Sequence, residues 1–230
     1  MAALFDQYRS TYNRTVDDSI SFSGLKHGFF LQAKVEPLAR VIAERSLAES
    51  GAGVRALDVG CGVGALHPYV RPLFSTLDGC DISTESVARA SGDNPWVTYR
   101  DYPGPALPYA DDTFDLAFAV CVVHHVPPEQ WSAFISEMRR VVRPGGAICL
   151  IEHNPFNPLT RLAVLRCPFD EDAVLISRHK AGRLLKAAGL HEIEARHFLL
   201  LPFASPFARK VESWFARAPL GAQYVCSGRV

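Results

Sequence analysis

The sequence has no excess of charge of either sign: 24 basic and 24 acidic side chains cancel. That removes the broad positive field by which nucleic acid or an anionic membrane surface would be held. It has no C-x-x-C pair. Its six cysteines, Cys61, Cys80, Cys121, Cys149, Cys167 and Cys226, fall mostly within apolar runs, so they read as reduced, buried side chains of a cytoplasmic protein. The longest apolar run, Leu116 to Val123, is far short of the ~20 residues of a membrane-spanning helix. The N-terminal Met1-Ala2-Ala3-Leu4-Phe5-Asp6-Gln7 lacks the basic region and apolar core of a signal peptide. The eight histidines include no H-x-x-x-H or H-E-x-x-H pattern, so no metal is expected. No Tyr-x-x-x-Lys pair occurs, as a short-chain dehydrogenase would require. Internal repeats and Pro/Gly-rich linkers are missing too, and residues 1–230 are expected to form a single domain.

What is present is enough for one good core, with 48% hydrophobic and 21% charged residues. Residues 1–50 look helical, with Leu38, Val41 and Ile42 spaced for one face. Tyr8, Tyr12 and Phe22, with Phe5, Phe29 and Phe30, either form a lid over a ligand or pack against the first helix. From Val54 onward strands and helices alternate, the sign of a doubly wound α/β fold with a mostly parallel sheet. Strands are expected at 57–59, 76–81, 96–99, 114–123 and 147–151, with Arg143-Pro144-Gly145-Gly146 as a tight turn before the last of these. Pro127-Pro128 starts a helix carrying Trp131, Phe134, Ile135, Met138, Val141 and Val142 on one face. Glu152 to Pro158 reads as an ordered loop. Ser177 caps a helix that Gly189 ends, residues 191–199 alternate as a half-buried strand, Ser205-Pro206 opens another helix, and 224–229 is the closing strand.

Arg55-Ala56-Leu57-Asp58-Val59-Gly60-Cys61-Gly62-Val63-Gly64 is an apolar strand running into alternating glycines. Such a turn brings backbone N–H groups close to a ligand without Cβ interference. Gly60, Gly62 and Ala65 also satisfy the looser dinucleotide pattern, and Asp81 stands about 20 residues on, where that pattern places its ribose acid. Asp58 opposes that reading, because a carboxylate there repels a pyrophosphate and attracts an ammonium or sulfonium.

The chain resembles the class I S-adenosylmethionine-dependent methyltransferases, in particular their small bacterial ubiquinone-biosynthesis-type branch. Asp58 to Gly64 is similar to their first motif. Asp81, Arg100-Asp101-Tyr102, Leu107-Pro108-Tyr109-Ala110-Asp111-Asp112-Thr113-Phe114-Asp115, Val122-Val123-His124-His125-Val126 and Arg143-Pro144-Gly145-Gly146 resemble their later segments. The Pro103-Gly104-Pro105-Ala106 insertion before Leu107 departs from the family's spacing. The resemblance implies a seven-stranded, mostly parallel Rossmann-like sheet with a C-terminal antiparallel hairpin and an N-terminal helical lid. It implies a lid at 1–50, a cofactor half at 51–152 and a substrate half at 153–230.

It also implies S-adenosylmethionine as donor, S-adenosylhomocysteine as product, and a cofactor site of Asp58, Gly60, Cys61, Gly62, Gly64, Asp81, Ile82, Asp101, Tyr102 and Cys121. The carboxyl ends of parallel strands form the ligand rim, which brings His124, His125 and His153 forward as acid–base candidates. Histidines there can equally cap a turn while the enzyme works by positioning. Tyr8, Tyr12, Phe22, Glu152, Asn154 and Phe156 are candidates for a small-molecule acceptor pocket. Arg161 and Arg166 either grip an anionic substrate or pair with Asp170, Glu171 and Asp172. No nucleic-acid or membrane partner is expected, and the protein is expected to be a monomer or homodimer. An NAD-linked oxidoreductase and a non-catalytic cofactor-binding protein are the competing readings.

Overall fold

The computed structural model describes residues 12–48, 53–200 and 218–230. Among the described residues, three α-helices come first: α1 (Tyr12–Ser19), α2 (His27–Gln32) and α3 (Val35–Glu44). Leu38, Val41 and Ile42 of α3 are buried as their spacing requires. The alternating region follows as β1 (Arg55–Val59), α4 (His67–Val70), β2 (Thr76–Asp81), α5 (Thr84–Asp93), β3 (Thr98–Asp101), β4 (Phe114–Val120), α6 (Trp131–Val141) and β5 (Val142–His153). The rest comprises α7 (Pro158–Arg166), α8 (Arg178–Ala187), β6 (His191–Phe198) and β7 (Gln223–Arg229). Among the described residues, no helix is long and apolar enough to cross a membrane.

The strands form one sheet in the order β3-β2-β1-β4-β5-β7-β6. β1 to β5 pair in parallel, and β7 runs antiparallel between β5 and β6. Alternate residues of each strand serve opposite faces. Leu57, Ala117, Ile148, Leu150 and Tyr224 pack with Ile135 and Met138 of α6 and Leu184 and Leu185 of α8. Ala56, Leu116, Phe118 and Cys149 pack with α3 and α4 on the other side. The expected seven-stranded, mostly parallel α/β sheet is therefore the fold, and the order reverses between β1 and β4, where such sheets open a ligand crevice.

Local expectations fail in four places. The third strand starts at Thr98 rather than Trp96, because residues 94–97 are still turning: Val97 N–H donates to the Asn94 carbonyl at 3.0 Å. Arg143 to Gly146 is not a free turn but part of β5. A register shift against Phe114 and Leu116 absorbs it, and Gly145 N–H and Gly146 C=O both bond the backbone of Val230. Glu152 and His153 likewise belong to β5, since β7 pairs with both. α7 has no counterpart in the expectation; Pro158 at its start and the Asn157 side chain accepting from Thr160 N–H at 3.0 Å define it. The helix expected from Ser205 lies outside the described residues.

Candidate active site

The ends of β1, β2, β4 and β5 surround a cavity of about 1150 Å³ roofed by α1 and α2. That exceeds the ~300–1,000 Å³ usual for one small ligand, so a donor and an acceptor fit together. The glycine turn forms its floor. Gly60 has φ +78°, and a Cβ there would come within 2.6 Å of Val122, so only glycine lets the turn pass beside the chain after β4. Gly60 and Cys61 N–H both donate to the Cys80 carbonyl, at 2.8 and 3.0 Å.

Asp58 is buried in this floor. Its Oδ2 lies 2.9 Å from His67 Nε2, and His67 Nδ1 lies 2.5 Å from the Tyr99 hydroxyl. With Nε2–H donating, Nδ1 accepts from Tyr99, and the carboxylate is fixed from behind. Its Oδ1 is buried without a hydrogen-bond partner, and Asp58 lines the cavity. A buried carboxylate oxygen without a partner, on a residue that lines a cavity, calls for a cationic or donating ligand group. Asp81, at the end of β2, accepts from Gly62 N–H at 2.8 Å and Ser83 N–H at 2.9 Å. Burial outweighs these bonds and raises its pKa. The pair Asp58 and Asp81 thus suits the amino group and sugar hydroxyls of an amino-acid nucleoside, and disfavours a pyrophosphate.

The turn after β4 carries the histidines. Cys121, with φ +56°, donates its N–H to the Ile151 carbonyl at 2.8 Å. Glu152, fully buried, accepts from Val122 N–H at 3.0 Å and Val123 N–H at 2.7 Å through Oε1, and lies 2.6 Å from His124 Nδ1 through Oε2. Burial pulls the His124 pKa down, but the charge of Glu152 and the contact with Asp170 overcome it and hold the group well above an ordinary histidine. Burial takes His125 and His153 the other way, to about 4, with the charge on His124 adding to the shift. His125 and His153 line the cavity, whereas His124 stands behind them, its ring 5.1 Å from that of His153.

Cys61, Gly62, Ile82, Tyr102, Cys121 and Phe22 also line the cavity. Several candidates stand elsewhere. Asp101 turns outward, accepting from Thr84 Oγ1 at 2.6 Å. Gly64 lies under the turn, where a Cβ would come within 2.6 Å of the Tyr99 hydroxyl. Asn154 is consumed in bracing the chain, its Nδ2 donating to Pro219 and Gly221 carbonyls at 3.0 and 2.8 Å. Phe156 is 65% exposed, and Glu152 acts through His124 and the backbone. Tyr8 lies outside the described residues; Tyr12 begins α1, and its side chain is not described.

Residues 57–150 match the family of methyltransferase domains. The chain carries a methyltransferase domain. An uncharacterised methyltransferase of Synechocystis is 33% identical over 141 residues, which cover 60% of this chain and 66% of that protein. A ubiquinone biosynthesis O-methyltransferase of Rhizobium leguminosarum is 34% identical over 118 residues, covering 49% of this chain and 45% of that protein. The chain therefore spans only about half to two thirds of the length of these curated relatives. The fold is shared along the whole chain with an S-adenosylmethionine-dependent methyltransferase of Thermotoga maritima, described as a possible histamine N-methyltransferase, at TM-score 0.66 and 18% identity over 100% of this chain and 99% of that one.

Three residues of the methyltransferase domain's cavity escaped the sequence reading. Lys34, the N-cap residue just before α3, is buried and lines the cavity, with Nζ donating to the Phe30 carbonyl at 3.1 Å; burial lowers its pKa against the opposing pull of Cys121 and Glu152. Its place between Leu31 and Leu38 on an apolar helical face was the available signal. Gln223 on β7 reaches Cys121 Sγ at 3.6 Å. Asp170 pairs with His124 and His125 rather than with Arg161 or Arg166. Nothing in its local sequence sets it apart from Glu171 and Asp172.

Proposed function

We propose that this chain transfers a methyl group from S-adenosylmethionine to a small organic acceptor. The observation that carries the reading is Asp58: a buried carboxylate with one oxygen held by His67 and the other unpartnered beside the glycine turn. Asp58 would hold the donor's ammonium, Asp81 its ribose hydroxyls, and Gly60, Cys61 and Gly62 its flank, with Ile82 and Tyr102 near the base. Bound there, the donor supplies an already activated methyl group, so the protein's task is alignment and exclusion of water.

The remaining volume, bounded by Phe22, Lys34, Cys121, His125 and His153, is the acceptor half. His125 and His153 are the acid–base candidates there, and His124 is a positioning residue held by Glu152. An oxygen acceptor is the favoured class, supported by the likeness to the ubiquinone biosynthesis O-methyltransferase. The six unpaired cysteines support a reducing compartment, the cytoplasm, as its location.

The test is incubation of the purified protein with methyl-labelled S-adenosylmethionine and a panel of phenols, catechols, carboxylic acids and amines. Label transfer to a hydroxyl-bearing acceptor is expected. Tight donor binding with no transfer to any class would favour a non-catalytic cofactor-binding protein instead.

A further inference from the structure

The turn after β4 and the short turn Pro168–Asp170 bring three side chains to one point on the acceptor half. His124 Nε2 lies 3.5 Å and His125 Nε2 3.4 Å from the same oxygen, Asp170 Oδ1. Both separations are longer than the ~2.7–3.2 Å of an N–H···O hydrogen bond. They match instead the edge of a coordination tetrahedron: nitrogen and oxygen ligands about 2.0–2.2 Å from a zinc-like ion stand roughly 3.3–3.5 Å from one another. All three ligand atoms lie within 4.8 Å of each other.

Glu152 adds an independent observation. By taking His124 Nδ1 at 2.6 Å, it turns Nε2 toward Asp170, and a carboxylate on the far nitrogen is the usual backing of a metal-ligating histidine. The backing is itself immobile, because Glu152 Oε1 is tied to two backbone N–H groups. His125 and Asp170 line the cavity, so the fourth direction opens on the acceptor.

We propose that His124, His125 and Asp170 form a divalent transition-metal site with an open coordination position toward the acceptor half of the cavity. Two imidazoles and one carboxylate favour a first-row transition ion over Mg²⁺. The open position would take water or an oxygen of the acceptor and so fix the orientation of an oxygen nucleophile, with His153 left as the acid–base group once His125 is a ligand. That role rests on the methyl-transfer reading; the metal site itself does not.

The experiment is titration of the chelator-treated, full-length protein with Zn²⁺, Co²⁺ and Mg²⁺, following heat for all three and visible absorption for Co²⁺. One equivalent of Zn²⁺ and of Co²⁺ is expected to bind, Co²⁺ with the intense bands of a four- or five-coordinate site, and Mg²⁺ at least tenfold more weakly. His125→Ala and the isosteric Asp170→Asn should each weaken Zn²⁺ binding at least tenfold, and Glu152→Gln by ~10–100-fold. Binding of S-adenosylhomocysteine, measured on the same samples, reports the donor site separately and shows that each variant is folded. No stoichiometric Zn²⁺ or Co²⁺ binding by the wild-type protein, or unchanged affinity in Asp170→Asn, would overturn the proposal while leaving the donor assignment standing.

Discussion

Glu152 Oε2 lies 2.6 Å from His124 Nδ1, and this contact between two fully buried side chains joins the end of β5 to the turn after β4. The same carboxylate accepts both N–H groups of Val122 and Val123, so one residue organises the backbone of that turn and the histidine behind the acceptor half. The arrangement makes the carboxyl rim of the sheet a rigid wall rather than a pair of independent loops.

Glu152→Ala should therefore be severe for stability as well as for function. It leaves two buried N–H groups and an imidazole without their acceptor, a loss on the scale of ~3–5 kcal/mol for breaking a buried pair. Denaturant unfolding should show a lower midpoint with an unchanged slope. A loss below about 1 kcal/mol would mean that the carboxylate is dispensable to the wall.

Asp58→Asn removes charge while keeping an acceptor near His67. Affinity for S-adenosylmethionine should fall by ~1–3 kcal/mol, the scale of a charge-assisted hydrogen bond, with little change in thermal stability. Calorimetry measures the first and a melting curve the second. Unchanged affinity would take Asp58 out of the donor site.

Gly60→Ala introduces two separable faults, a left-handed φ and a Cβ that would come within 2.6 Å of Val122. Strain of order 1–3 kcal/mol belongs to the backbone alone. The double variant with Val122→Ala should recover the steric part of the lost donor affinity and not the backbone part. No difference between single and double variants would show that the close approach is relaxed at no cost.

Far from the chemistry, Arg140 holds the Glu137 carboxyl below its usual range, aided by the Leu107 N–H that Glu137 accepts at 2.9 Å. A depressed folded-state pKa stabilises the protein above the unfolded value and is lost as pH falls through the folded value. Glu137→Gln should thus flatten the fall in stability below about pH 4.5, the unperturbed value. Solvent screening limits the effect to about 1 kcal/mol or less. Parallel pH-stability curves for both proteins would remove Glu137 from the account.

The sheet was legible because its cues are local: apolar strands, glycine turns and amphipathic helices repeat in the order of the chain. Asp58, Asp81 and the glycines could be placed for the same reason, each lying at the end of a strand visible in the sequence. Boundaries were misplaced where pairing partners decide them, as when β7 carries β5 through Glu152 and His153. The acceptor half was less legible, since Lys34, Asp170 and Gln223 reach it from the start of α3, a short turn and β7. Asn154 misled in the opposite sense. Its polarity near the rim suggested a ligand, yet its amide is fully engaged by the Pro219 to Gly221 backbone. His67 carries no local cue, because its partners, Asp58 and Tyr99, meet it only across β1 and β3.

In the proposed function the Asp58 floor receives a cationic amino-acid nucleoside and not a dinucleotide. Calorimetric titration of the purified protein with S-adenosylmethionine, S-adenosylhomocysteine and NAD tests it most directly. One equivalent each of S-adenosylmethionine and S-adenosylhomocysteine is expected to bind, displaced by neither form of NAD. Stoichiometric NAD binding with no heat from either adenosyl compound would contradict it.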